Sequence, residues 1–448
     1  MLAAKFMRHF AVLAPPFASH LRALEALAAE LLARGHRVSW VHQSDVRPQL
    51  RDARIGFRSV GALTHPAGSL ASTVARAASP GGPFGLRRVI LDVAAATDML
   101  CREAPAALQD LGVDAVIADQ MEAAGSLVAG ALGLPFVSVA CALPLNREPR
   151  VPLPVMPWAH AQDARGEQLN EGSARVHDWM MAPHARVIAS HARAFGLRPR
   201  QTLADCLSPL AQISQTTALL DFPRVALPAH FHHVGPLRLP PGDEPALDLP
   251  LNAGKRFVFA SLGTLQGGRF ALFRRIARAC QSLDVQLLLA HCGGLDASQE
   301  ATLEQAGATW VTGFAPQRAA LARADAVVTH AGLNTVLDAC VAGTPMLALP
   351  IAFDQPGVAA RVVHAGAGLR LRPALAGVGA LREALQRLFD EPAFAAAASL
   401  IGREIAQGGG VVRAADIVLT AVESRQPVTV AAARPMAEDL TGAELRAA

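Results

Sequence analysis

The sequence predicts an α/β protein built from two facing, doubly wound Rossmann-like domains with a cleft between them. Three observations carry this. The chain has 448 residues, too many for one ordinary core and suited to two domains of roughly two hundred each. Short apolar runs alternate with segments of helical period, the pattern of a parallel sheet covered by helices on both faces. Near the middle, the proline-rich stretch PLRLPPGDEPALDLPLN stops that alternation, which then begins again.

In the first domain, taken as residues 1–238, FAVLAPP reads as an apolar strand from Phe10. A helix follows, with Leu21, Leu24, Leu27 and Leu31 at helical spacing and a stop at Arg34-Gly35. RVSWVHQ, DAVIADQ and PFVSVAC read as further strands. Residues 146–200 break the alternation and predict an inserted, mostly helical segment, a natural place for an acceptor pocket. Residues 239–251 read as the linker. The second domain, 252–424, resumes with RFVFASLGT, QLLLAH, ATWVTGF, AVVTHAG and PMLALP. The last stretch, 425–448, has no clear period and is expected to be a loose tail.

Composition narrows the function. With 52% apolar and 17% charged residues the chain has ample material for two cores and lacks the make-up of a disordered protein. The formal charge of +4 comes from scattered arginines, with no basic run interleaved with aromatics, so no nucleic-acid groove is expected. Six cysteines stand far apart without a CxxC pair, which predicts reduced thiols and a reducing compartment. Residues 1–10 lack an apolar signal region. The longest uncharged stretch, 123–145, is broken by Gly133-Leu134-Pro135 into pieces too short to span a bilayer. A cytoplasmic location is expected, with peripheral contact at the inner membrane face.

The segment 313–355 carries the most chemistry. The strand AVVT runs into His330-Ala331-Gly332 and a helix starting near Asn334. A helix start offers free N–H groups and a positive dipole end to a phosphate. Gly332 allows close backbone approach, Asn334 and Thr335 add donors, and Asp338, one turn on, can accept from sugar hydroxyls. Phe314, with Ala315 and Gln317 close behind, offers a face for stacking a base. Asp354 and Gln355 follow MLALP and would emerge at the same sheet edge. Ser261, Gly263 and Thr264 form a second turn of small residues there. Taken singly, these residues have plain structural readings: Phe314 as core, Asp338 as a solvated helix residue, the glycine turn as packing. Their order is what points to a nucleotide site.

In the first domain, His20 stands just after the first strand and Asp119 ends the strand DAVIADQ, on the same carboxyl edge. A neutral imidazole could accept a hydroxyl proton while the carboxylate orients the ring. A lone histidine is more often a capping residue, so this pairing gains its weight from the second domain. No cluster suited to a metal stands out.

The ordered set resembles the nucleotide-sugar signature of the family 1 UDP-glycosyltransferases of the GT-B fold, which runs from aromatic-x-Pro-Gln through His-x-Gly-x-Asn-Ser/Thr to a closing Asp-Gln. The resemblance implies that Phe314 stacks on uracil beside Ala315 and Gln317, that His330, Gly332, Asn334 and Thr335 hold the diphosphate, and that Asp338 takes the ribose. Asp354 and Gln355 would take the sugar. His20 would be the base and Asp119 its partner, with inversion at the anomeric carbon and no metal or other cofactor. Phe314, Leu333 and Asp338 depart from the plant form, which has Trp, Trp and Glu. Blocks outside the signature, SVACALPLNREP and SPLAQISQ among them, are similar to bacterial zeaxanthin glucosyltransferases. That implies UDP-glucose as donor and the terminal hydroxyls of a carotenoid as acceptor. The alternatives are another apolar acceptor (a macrolide, flavonoid, sterol or glycolipid precursor), a non-catalytic activating homologue, or a sugar epimerase of the same two-lobed shape.

Overall fold

The computed structural model describes residues 7–239 and 245–430. The first residues of the chain, residues 240–244 of the expected linker and most of the expected tail lie outside the described residues. Seven strands, β1 (His9–Leu13), β2 (Arg37–His42), β3 (Gly56–Ser59), β4 (Ala115–Asp119), β5 (Phe136–Ala140), β6 (Gln212–Ser214) and β7 (Phe231–His233), form one sheet. Their order is β3-β2-β1-β4-β5-β6-β7, and every pairing is parallel. A second parallel sheet, in the order β10-β9-β8-β11-β12-β13, contains β8 (Phe257–Ser261), β9 (Gln286–Ala290), β10 (Trp310–Thr312), β11 (Ala326–Thr329), β12 (Met346–Ala348) and β13 (Gly368–Arg370). The central strands β1, β4, β5, β8 and β9 are buried along their whole length, which is why they read as unbroken apolar runs.

The helix Ala18–Ala33 buries Leu21, Leu24, Leu27 and Leu31 against the first sheet. It ends where Gly35 turns left-handed at φ 86° and His36 N–H returns to the Leu31 carbonyl. The inserted segment is helical, as expected, over Ala164–Met180 and Ala182–Ala194.

The end of the chain departs from the expected boundaries. The helix Gly410–Ser424 does not stay with the second sheet. It lays Val411, Ala414, Ala415, Val418 and Val422 into the core that holds Leu21, Leu24 and Ala28, and Arg34 reaches across to Asp416 at 2.5 Å. Val428, assigned from sequence to a loose tail, is buried there, and its N–H donates to the Leu210 carbonyl. Helical period shows that a face is apolar; it does not show which core receives it. Leu247, Leu249 and Leu251 of the linker pack on the second core.

The lobes are joined by more than the linker. Asp221 of the first and Arg361 of the second form an ion pair at 2.6 Å with both side chains almost fully buried, and the guanidinium lies 4.5 Å from the centroid of the Phe222 ring. Gln266 donates to the Ala78 carbonyl from the opposite side of the cleft. Among the described residues no single helix is long and apolar enough to cross a membrane. The stretch 123–145 divides into the buried helix Ala123–Leu132 and β5.

In each sheet, strand order reverses direction at one place, between β1 and β4 in the first and between β8 and β11 in the second. Helices leave such neighbours toward opposite faces, and the crevice between them is where open α/β sheets take ligands.

Candidate active site

The first switch point brings His20 and Asp119 together. Leu13 at the end of β1 pairs with Ala118 near the end of β4, so the residues that follow share one edge. His20 lies in the first turn of the helix Ala18–Ala33, and its Nδ1 is 2.6 Å from Asp119 Oδ2. The other carboxylate oxygen, Oδ1, accepts the Met121 N–H at 2.8 Å. The Asp119 side chain is fully enclosed, while that of His20 keeps 12% exposure toward the cleft. With Nδ1–H donating to the carboxylate, Nε2 is the nitrogen left to accept a proton.

Burial alone would lower the pKa of His20. The Asp119 carboxylate, through charge and hydrogen bond, and the more distant Asp354 outweigh it, and the net shift is upward. Asp354 belongs to the other lobe, so its action on His20 places the two sheet edges across one cleft. Phe17 and Phe353 meet there as well, with ring centroids 6.1 Å apart.

The second switch point holds the glycine turn. Ser261 at the end of β8 pairs with Thr329 at the end of β11, and His330 follows immediately. The His330 ring is enclosed by Gly263 and Gly332: a Cβ on either glycine would lie 2.6 Å from a ring atom. Ala331 sits between them in the left-handed region at φ 64°, a cost that a non-glycine residue meets only where the surroundings impose it. Cys292 after β9 and Phe353 after β12 are also left-handed, so three of these uncommon conformations fall on the carboxyl edge of one sheet. Burial lowers His330 to about 4, making it a neutral N–H donor. Its Nδ1 and the Asn334 Oδ1 are buried without a partner. The helix Leu333–Ala342 starts at Gly332 with no side-chain cap, leaving its first N–H groups open. The open N–H groups of that helix start, with the unpartnered His330 Nδ1 beside them, make a site for an anion such as a diphosphate.

The remaining residues divide. Phe314 is 73% exposed, with its ring free for stacking, and Ala315 is partly buried behind it. Gln317 donates to Asp338 Oδ2 at 2.7 Å and accepts from the Thr335 hydroxyl at 3.2 Å, so Thr335, expected on the diphosphate, has its hydroxyl turned to Gln317. Gln355, expected on the sugar, uses its carbonyl oxygen to hold the Ile351 and Ala352 N–H groups of its own turn. Ser261 is buried and accepts from Gly263 N–H at 3.4 Å. Thr264 is exposed and lines a cavity of about 520 Å³ with Leu70, Val74 and Ala78 of the first lobe, a cavity whose lining does not include His20.

The family described as UDP-glucoronosyl and UDP-glucosyl transferase matches residues 175–402, just over half of the chain. A zeaxanthin glucosyltransferase of Pantoea ananas is 49% identical over 430 residues, covering 94% of this chain and 98% of that protein. This chain belongs to the UDP-glycosyltransferase family. A second zeaxanthin glucosyltransferase, from Pseudescherichia vulneris, is 44% identical over 94% of this chain and 100% of its own. The solved glycotransferase of kitacinnamycin superposes with a TM-score of 0.72 at 23% identity, covering 93% of this chain and 100% of the other, which shows the shared GT-B fold.

Two neighbours of the transferase's site were not singled out from sequence. Arg238 bridges the lobes, with its Nε 3.5 Å from Asp338 Oδ1 and its Nη2 3.4 Å from the Asn334 carbonyl. It is hidden in sequence by the prolines around it. Cys141 follows β5, so the strand-end rule that marks Asp119 marks it too. His20, Asp119 and Cys141 are the one trio among the described residues whose ligand atoms, all within 4.8 Å of one another, come close enough for a metal ion. The His20–Asp119 hydrogen bond already occupies Nδ1 and Oδ2, and we assign no metal to them.

Proposed function

We propose that this transferase moves glucose from UDP-glucose to the terminal hydroxyl of a carotenoid such as zeaxanthin, with inversion and without a metal cofactor. The observation that carries the reading is the pairing of two edges: His20 with Asp119 on one side of the cleft, and the unpartnered His330 Nδ1 beside an uncapped helix start on the other. His20 Nε2 takes the acceptor proton as the hydroxyl oxygen attacks the anomeric carbon, and the bond to the diphosphate oxygen breaks on the opposite face. Neutral His330 and the open N–H groups stabilise the departing charge. Phe314 stacks on the base and Asp338 takes the ribose. Asp354 binds the sugar close to His20. The names of the Pantoea ananas and Pseudescherichia vulneris relatives support the acceptor, and an acceptor that apolar supports peripheral docking at the cytoplasmic membrane face.

The test is incubation of purified protein with UDP-glucose and zeaxanthin. Mass spectrometry should show one and then two added hexoses with matching UDP release, and NMR should show the inverted anomer. Turnover of zeaxanthin no better than that of a flavonol would sink the acceptor, and UDP release independent of any acceptor would sink transfer.

A further inference from the structure

The Asp119 carboxylate is held by more than His20. Its Oδ1 accepts the Met121 N–H at 2.8 Å, and the Cys141 thiol, just past the end of the adjacent strand, stands beside it. Sγ lies within 4.8 Å of both the His20 and Asp119 ligand atoms. The cysteine is itself fixed: β5 runs beside β4 with Asp119 opposite Val139, and Gln215 Nε2 donates to the Cys141 carbonyl at 3.1 Å. The thiol is enclosed, with 3% of the residue exposed. Burial first, and the neighbouring carboxylate second, push its pKa well above the usual thiol range, so it keeps its proton. A protonated thiol is an S–H donor; a thiolate would repel Asp119.

We propose that Cys141 is a positioning residue for the proton-accepting pair, its S–H sharing the Asp119 carboxylate with His20 and so setting both the ring's orientation and its affinity for a proton. This rests on His20 being the base. The S–H draws negative charge toward itself, so the carboxylate holds the imidazolium less tightly than it would alone. Without the donor, that charge falls on His20 unshared, and the ring holds a proton to higher pH.

Cys141→Val removes the donor at similar volume and Cys141→Ser restores one. Histidine-selective nitrogen-15 NMR would follow the His20 ring through a pH titration, assigned by its loss in His20→Gln, with the pH profile of kcat/KM for UDP-glucose and zeaxanthin measured alongside. Cys141→Val should raise the His20 midpoint by about half a pH unit, because an S–H is weaker than the charge-assisted bonds that shift a pKa by a full unit or more. The acid limb of kcat/KM should move with it, kcat should fall several-fold, and Cys141→Ser should return both toward wild type. An unmoved His20 midpoint in Cys141→Val, with wild-type thermal unfolding showing that the variant is folded, overturns the proposal. So does a Cys141→Ser titration that matches Cys141→Val. The NMR arm needs no turnover: a wrong acceptor or a different base would appear as missing activity, or as activity surviving in His20→Ala, while the His20 midpoint still reports on Cys141.

Discussion

His20 Nδ1 and Asp119 Oδ2 lie 2.6 Å apart, one on the helix after β1 and the other at the end of β4, across the point where the first sheet reverses. That contact fixes the ring and, with Nδ1–H donating to the carboxylate, leaves Nε2 as the nitrogen able to accept a proton. His20→Ala should lower kcat by about 10² to 10⁴-fold, the range for loss of a general base, with little change in KM for the donor. Asp119→Asn should lose nearly as much, because an amide can donate to Nδ1 and leave the proton on Nε2, the wrong tautomer for a base. Steady-state kinetics on the two variants check this; transfer undiminished in His20→Ala removes the assignment.

The pH dependence follows from the same contact. Burial lowers the His20 pKa, and Asp119 with Asp354 raises it by more, so the folded value stands above 6.5. The base works only when unprotonated, so kcat/KM should climb as pH rises through that raised value. In Asp119→Asn the main raising influence is gone and burial remains, so the residual activity should show its acid limb at lower pH than wild type. A limb that stays in place would mean that some other group controls it.

The two lobes and nine of the thirteen strands were legible in the sequence because a strand buried on both faces must be apolar along its length; the edge strands β3, β7 and β13 and the three-residue β6 offered no such run. His20 and Asp119 were legible because strand ends mark the binding edge. The fate of the helix Gly410–Ser424 was not legible, since Val411, Val418 and Val422 suit either core. Nor were the partners of Thr335 and Gln355. Whether a hydroxyl faces a ligand or Gln317 depends on side chains brought together from distant parts of the chain, and spacing holds no record of that.

Gly332 offers a cleaner test of the anion turn than its neighbours. Its φ is −64°, an ordinary value, so Gly332→Ala adds no backbone strain. It adds a Cβ 2.6 Å from His330 Nε2, and the ring, enclosed on the other side by Gly263, has nowhere to go. The variant should fold and lose affinity for UDP-glucose by at least tenfold, about 1.4 kcal/mol, as read by calorimetry. Gly263→Ala should be worse, because that residue is also left-handed at φ 72°. Unchanged donor affinity in Gly332→Ala would mean that His330 does not approach the diphosphate.

A buried polar group behind the site should make stability respond to pH in two opposing ways. The Thr97 hydroxyl donates to Glu122 Oε1 at 2.8 Å and lies 3.1 Å from His184 Nε2. Burial raises Glu122 to about 7 and lowers His184 to about 4. Glu122 therefore contributes stability that is complete below its unfolded value and is lost as pH rises toward 7. The contribution of His184 is complete above its unfolded value and is lost as pH falls toward 4. Each is worth roughly 3 kcal/mol from the size of its shift, and across pH 4.5–6.5 they offset one another. Glu122→Gln should expose the histidine's half: its unfolding midpoint should rise from pH 4.5 to 6.5 more steeply than that of wild type. Parallel thermal scans would refute the pairing.

The ion pair between Asp221 and Arg361 makes a prediction about the cleft as well as about stability. Both side chains are enclosed, and Arg361 lies on the helix Gln355–His364, whose N-cap residue is Asp354, the carboxylate that acts on His20 from across the cleft. Removing one partner leaves a buried charge uncompensated and typically costs about 3–5 kcal/mol, whereas replacing both with apolar groups is often neutral. Arg361→Leu should therefore lower the unfolding temperature sharply, even though Arg224 stays within 2.9 Å of the aspartate. Asp221→Leu combined with Arg361→Leu should recover part of that loss, because Arg224 then keeps only Glu148, at 3.5 Å, as an ion-pair partner among the described residues. Activity should not recover in parallel, because a greasy contact does not fix the helix in one register against the first lobe as a directed hydrogen bond does. Recovery of stability together with full kcat in the double variant would show that apolar packing alone is enough to align Asp354 with His20.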